Sequence, residues 1–122
     1  MEIVKAAVQL IIALGILNVW LVRRNQATAW RGGDARNLQE EFRKYGLSDR
    51  LYVLIGVAKV SLAALLVVGL WVPVVAALAG AGMAVLMLGA VAMHLRVADR
   101  PLKALPAFCM LLLSLAVVAM NL

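Results

Sequence analysis

LYVLIGVAKVSLAALLVVGLWVPVVAALAGAGMAVLMLGAVAMHL, residues 51–95, carries a single formal charge, Lys59. As one straight helix this run would reach about 67 Å, roughly twice the ~30 Å hydrocarbon core of a bilayer. It must therefore fold back on itself, and Gly69-Leu70-Trp71-Val72-Pro73 is the segment that permits it. Proline disfavours helix in the residue before it, and a tryptophan beside it suits a membrane interface. A soluble domain of 122 residues cannot hide so much uninterrupted apolar chain, so a membrane-embedded helical hairpin forms the centre of this protein.

Working outward, apolar segments at about 3–22 and 104–122 flank the hairpin helices at about 51–70 and 74–95. Each is near the roughly 20 residues that a bilayer requires. The expected fold is all-α and integral to the membrane, a bundle of four transmembrane helices forming one domain over 1–122. The first segment begins after acidic Glu2 and ends at Arg23-Arg24 rather than at a small-residue cleavage site, so a retained span is expected instead of a cleavable signal. With 66% hydrophobic and 15% charged residues, the composition belongs to the membrane class.

The net charge of +6 is distributed in a way that points to topology. Of the twelve Lys and Arg residues, seven lie in the loop 23–50 and three in the connection 96–103, whereas the turn of the central hairpin has none. By the positive-inside rule both basic loops face the cytoplasm and both termini face outward. No basic patch is interleaved with aromatics, so no nucleic-acid partner is expected; the bilayer itself is. Cys109 is the only cysteine, which excludes an internal disulfide.

The loop 23–50 carries the marks of a short amphipathic helix. Asp34 can cap it, Leu38, Phe42 and Tyr45 fall at i, i+4 and i+7, Glu40 and Lys44 pair at i, i+4, and Gly46 is a C′ stop. Its apolar stripe lies either on the cytoplasmic membrane surface or under the bundle. In the third span Ala76, Gly80 and Ala84 recur every fourth residue and form a face for close helix packing. That face serves the bundle itself or a homodimer, and a homo-oligomer or larger membrane complex is expected.

Few polar residues enter the spans, and Lys59 is the most informative. A lysine inside a span costs about 2.5–3.5 kcal/mol at the helix centre on insertion scales. At about 12 Å from Leu51 it either faces the bundle interior as a buried cation or snorkels to the cytoplasmic surface. His94 closes the third span, where it either caps helix-end carbonyls or titrates near a cytoplasmic mouth. Asn18 and Cys109 each lie about 7 Å inside their own spans. One candidate from each span, Asn18, Lys59, His94 and Cys109, thus falls at a similar depth, and these are the candidate pocket residues. Gln9 reads as an interhelical hydrogen-bonder, and Trp20 and Trp71 as interfacial anchors.

Several signatures are absent from the sequence. Apart from Glu2, every acidic residue lies in a loop, so the paired membrane carboxylates of a proton antiporter are missing. There is no histidine pair for haem, no assembled Ser/His/Asp set and no glycine-rich phosphate loop. The Met83, Met87 and His94 stripe reads as packing, and no metal site is expected.

Phe42-Arg43-Lys44-Tyr45-Gly46-Leu47-Ser48, then Leu54-Ile55-Gly56-Val57-Ala58-Lys59, then Gly89-Ala90-Val91-Ala92-Met93-His94 with Pro106 opening the last span, together resemble the DoxX and DoxX-like membrane proteins. The likeness runs from about Ile12 to Ala119. It implies a four-helix bundle in the bacterial inner membrane, with Lys59 and His94 at positions where relatives carry polar residues. It also implies heterogeneous functions, among them membrane subunits of thiosulfate:quinone oxidation and partners of membrane oxidoreductases. The expectation is therefore an accessory protein or membrane subunit linked to quinone or redox chemistry, with a polar pocket in the cytoplasmic half and quinone as the candidate cofactor. Two alternatives stand beside it: a non-catalytic assembly or chaperone-like protein acting through helix association, and an enzyme such as an isomerase on a lipophilic substrate.

Overall fold

The computed structural model describes residues 2–26, 31–33 and 35–122. Helix α1 spans Glu2–Leu17 and runs on into a π-helical turn, Asn18–Val22. A short α2 follows at Leu38–Lys44, then α3 at Asp49–Val68, α4 at Pro73–Arg96 and α5 at Pro101–Met120. Four helices, α1 with its π turn, α3, α4 and α5, are long and apolar enough to cross a membrane. The protein is thus all-helical with four membrane-spanning helices and a short helix in the first long loop, the architecture expected from the sequence.

Local chemistry explains the boundaries. At the start of α3 the Leu51 N–H donates to Ser48 Oγ at 3.2 Å, satisfying one donor of the open first turn. After Val68 the chain turns, and Pro73 takes the first turn of α4, where its missing N–H costs nothing. A Cβ on Gly69 would stand 2.7 Å from Ala76 Cα, so the turn closes tightly only with glycine there. Helix α5 starts at Pro101, which places Pro106 inside it rather than at its opening.

The cap of α2 differs from expectation. Asn37, whose Oδ1 accepts from the Glu40 N–H at 2.8 Å, caps the helix, and Asp34 lies outside the described residues. At the other end Gly46 adopts φ +80°, the left-handed C′ position foreseen for it. The Gly46 N–H donates to Arg43 O and the Leu47 N–H to Phe42 O, both at 3.0 Å, which together make a Schellman stop.

The spans form a ring in which α1 packs on α3 and α5, and α4 also packs on α3 and α5, the α4–α5 pairing being the most extensive. Around the termini and the α3–α4 turn, Ile12, Ala63, Leu66, Ala76, Met83 and Val117 are fully buried. A Cβ on Gly80 would meet Val117 Cγ1 at 3.1 Å and the Ser114 carbonyl oxygen at 3.2 Å. In lipid there is little hydrophobic gain on helix association, so this closeness, with its dispersion contacts, holds the helices together. Gln9 adds the interhelical bond expected of it, donating to Leu66 O at 3.0 Å, and its Oε1 accepts from Asn121 Nδ2 at 3.4 Å. Leu78, Val85, Leu88 and Leu112 stay exposed on the outer faces, where acyl chains would cover them.

Candidate functional site

The loop between α1 and α3 is folded into the opposite end of the ring. Leu38, Glu41, Phe42 and Tyr45, at i, i+3, i+4 and i+7, form the buried face of α2 and its cap. Of the two placements open for this stripe, it therefore takes the one under the bundle. Trp20 meets Phe42 edge-on, with ring centroids 5.7 Å apart, and stacks on Tyr52 at 5.3 Å. The indole is buried in this cluster instead of anchoring at an interface, because the π turn carries it inward against α2 and α3. Trp71, 77% exposed at the α3–α4 turn, keeps the position of an interfacial anchor.

Between this loop and the spans lies a cavity of about 750 Å³, within the range of small-molecule sites. All four spans contribute to its wall, and much of that wall is apolar: Ile16, Val19, Ile55, Leu86, Met87, Ala107 and Met110. Its charged and hydrogen-bonding groups are Arg23, Arg31, Glu41, Tyr45, Lys59, His94 and Lys103, with Asn18 beside them.

Most of those groups, Lys59 and Asn18 apart, form a connected chain. The Tyr45 hydroxyl donates to Glu41 Oε1 at 2.6 Å and lies 3.2 Å from His94 Nε2. On the far side of the ring, His94 Nδ1 stands 2.8 Å from Asp99 Oδ2. Asp99 Oδ1 in turn accepts the Gly33 N–H at 2.9 Å, and Lys103 Nζ donates to Gly33 O. Arg31 closes the other end, pairing with Glu41 Oε2 at 3.5 Å and donating to Arg23 O at 2.7 Å. Loop one is thereby fastened to α4, to the α4–α5 turn and to α5.

The electrostatics follow from burial. Desolvation, reinforced by the Glu41 carboxylate, pushes the Tyr45 phenol far above its ordinary value, so it remains an O–H. For Asp99 desolvation raises the carboxyl, but the Gly33 N–H, the His94 ring and Lys103 outweigh it and hold the group below its usual range. Lys59 stands apart from this network. It lies on the buried stripe of α3 with Gly56, Ala63 and Leu66, and is only 9% exposed. Its Nζ sits 5.6 Å from the Trp20 ring centroid, a cation–π distance, and among the described residues it has no hydrogen-bond or ion-pair partner.

Of the four candidates drawn from the spans, Lys59, His94 and Asn18 line this cavity, while Cys109 does not and is exposed. The wall of α5 runs through Lys103, Pro106, Ala107 and Met110, and position 109 points about 110° away from that stripe. Ala76, Gly80 and Ala84 are all buried within the chain, Ala76 against Gly69 and Gly80 against α5. Arg31, Glu41, Tyr45, Asp99 and Lys103 are site residues that the sequence does not single out. For Glu41 and Tyr45 a signal exists: an acid and a phenol four apart share the apolar stripe of α2.

A comparison with known families adds to this geometry. The profile of the DoxX-like family matches residues 26–117, more than half of the 122-residue chain, and takes in α2, α3 and α4, which build much of the polar network. No curated protein and no solved structure matches the chain significantly. With that match reaching from loop one into the last span, this four-helix membrane protein belongs to the DoxX-like family.

Proposed function

We propose that the protein holds a lipophilic small molecule with a carbonyl or anionic oxygen in its head group, of the quinone kind, in the cavity between loop one and the spans. The observation that carries this reading is Lys59, a buried cation in the cavity wall with no hydrogen-bond or ion-pair partner among the described residues, the Glu41 carboxylate acting on it only from a longer range. A charge at that depth costs several kcal/mol unless something completes it, and intramembrane cations usually mark a ligand or ion site. An oxygen-bearing head would complete it, with the apolar wall receiving the tail. By the positive-inside rule the basic loops, and so the polar end, face the cytoplasm of a bacterial inner membrane with the termini outside. In this reading the protein serves as an accessory or membrane subunit of a redox complex, the ligand being exchanged with that partner.

Native mass spectrometry of protein extracted gently from its own membrane tests the reading. A co-extracted lipophile of quinone mass in the wild type, lost in Lys59→Met, is the expected result. Recovery of the same mass from both proteins, or from neither, would overturn it. The alternative of an assembly protein acting through its small-residue face is weakened because Ala76 and Gly80 are already covered by the chain's own helices. An enzyme on a lipophilic substrate draws support from the Tyr45 hydroxyl between Glu41 and His94, and a chemically altered ligand on incubation would favour it.

A further inference from the structure

We propose that Glu41, Tyr45 and His94 share one mobile proton, with the Tyr45 hydroxyl as the relay, and that this trio is the acid–base group of the cavity. Asp99 Oδ2 stands 2.8 Å from His94 Nδ1, and a carboxylate accepts only, so Nδ1 carries a proton. Tyr45 has one hydroxyl proton and two partners, Glu41 Oε1 at 2.6 Å and His94 Nε2 at 3.2 Å. If Tyr45 donates to Glu41, its oxygen can only accept from His94, which needs a proton on Nε2 as well and makes the ring an imidazolium. If instead Tyr45 donates to an unprotonated Nε2, its oxygen must accept from Glu41, which then holds the proton.

The two arrangements contain the same number of protons. They interconvert when the His94 Nε2–H bond breaks as a new Tyr45 O–H bond forms, while the old Tyr45 O–H bond breaks and a Glu41 Oε1–H bond forms. No electron moves and no co-reactant is needed. Surrounding groups set the balance between them. Arg31, 3.5 Å from Glu41 Oε2, Lys59 across the cavity, and Asp99, 2.8 Å from His94 Nδ1, all stand beside the charges of the separated arrangement. Lys103 on α5 faces Asp99 and Gly33 and adds a cation on that side. Separating charge inside a buried site is itself costly, and that cost works against these neighbours, so the proton is not pinned to one partner. Tyr45 suits the part because it keeps its proton, and so passes one on without itself ionising.

This deepens the ligand reading and rests on it for one point only, namely that the group served by the trio is an oxygen of a bound lipophile, such as a phenolate or carbonyl. The exchange itself is a property of the protein alone. The chain has a single histidine, so ¹⁵N-histidine labelling reports His94 without assignment ambiguity. The experiment compares the ratio of imidazolium to imidazole at fixed pH in the ligand-free protein for four chains: wild type, Glu41→Gln, Tyr45→Phe and the double variant. Phenylalanine keeps the ring contact with Phe42, centroids 6.3 Å apart, while removing the hydroxyl.

The expected result is that Glu41→Gln changes the ratio by about fivefold or more in the wild-type background, as one charge-assisted hydrogen bond would, and leaves it nearly unchanged with Tyr45→Phe. An equal response in both backgrounds would mean that His94 Nε2, 3.8 Å from Glu41 Oε1, senses it through space alone, and the relay would be overturned. No response in either background would overturn it too. Should the variants fail to fold, the unaltered protein still decides the matter. Its Nε2 signal should be averaged between protonated and bare positions, and a line fixed at one extreme at every pH where the fold persists overturns the proposal. Because these spectra need no ligand, they can fail while native mass spectrometry still finds a lipophile, and the converse holds equally.

Discussion

At the end of the bundle that holds the termini and the α3–α4 turn, alanines, a glycine and aliphatic side chains bring the four helices into direct contact, with Gln9 bridging α1 to α3 and α5. At the opposite end the same four helices surround a cavity walled partly by arginine, lysine, glutamate and histidine, and it is loop one that closes it. The first arrangement draws its stability from closeness, the main resource that lipid leaves to helix association. In the second, buried charge is held by hydrogen bonds imported from the loops: Arg31 and Tyr45 for Glu41, Gly33 for Asp99. Lys59 is the one buried charged side chain of the cavity for which the described residues supply no hydrogen bond or ion pair, only its approach to Trp20. The proposed ligand accounts for such uneven satisfaction, because maximal stability would have selected an apolar side chain there.

If this contrast is correct, bulk should be tolerated very differently at the two ends. Gly80→Leu forces a side chain into Val117 and the Ser114 carbonyl and should cost about 3 kcal/mol, seen as early thermal unfolding in micelles. Gly89, on the cavity side with nothing within 4 Å of a built Cβ, should accept leucine with little change in the same assay. Comparable losses at both sites would erase the distinction.

Unfastening loop one should have the next strongest effect. Asp99→Asn removes the anion opposite His94 Nδ1 and should release the loop at a cost of about 2 kcal/mol, read as faster proteolysis within 23–50 with the spans intact. The pH dependence has a definite sign. Because the folded carboxyl titrates below its usual value, its contribution is fully present above the ordinary carboxylate pKa of about 3.9. It is lost as the pH falls through the lower folded value, so loop protection should hold at neutral pH and fail only in acid.

Lys59→Met should act in the opposite direction, raising stability by about 1–2 kcal/mol in the ligand-free protein while abolishing ligand retention. A destabilised Lys59→Met protein would show that the lysine belongs to the bundle's own structure. The smallest effect is expected from Gln9→Leu at the close-packed end. The change removes the bond to Leu66 O, worth about 0.6 kcal/mol, and the longer one from Asn121 Nδ2, a loss of about 1 kcal/mol or less in all, detectable in an unfolding comparison with wild type.

Much of the architecture is legible in residues 51–95, and for a reason specific to membranes. With no water in the bilayer core, backbone groups must be satisfied within each helix, so a long apolar run has few alternatives to a helical hairpin. The turn at Gly69–Pro73 and the stop at Gly46 are equally legible, since proline and glycine act through their own backbones. Trp20 departs from its expected interfacial place because indoles occur both at interfaces and in cores, and the π turn that aims it inward has no sequence signature of its own. Cys109 shares a depth with the other candidates but not a direction, and depth alone does not specify which way a side chain faces.

By itself, then, the chain determined the membrane class, the helical hairpin, the basic loops and the presence of a lysine within the second span, whose direction it left open. Those properties are local or compositional, and the transfer energetics of twenty-residue segments decide them. Tertiary structure alone decided that Glu41 and Tyr45 fold inward to meet His94, that Asp99 stands behind the ring, and that Lys59 faces the same cavity without a hydrogen bond or ion pair among the described residues. Tyr45 and His94 are forty-nine positions apart. No periodicity spans that separation, and only the packing of loop one beneath the helices brings them within reach of a shared proton.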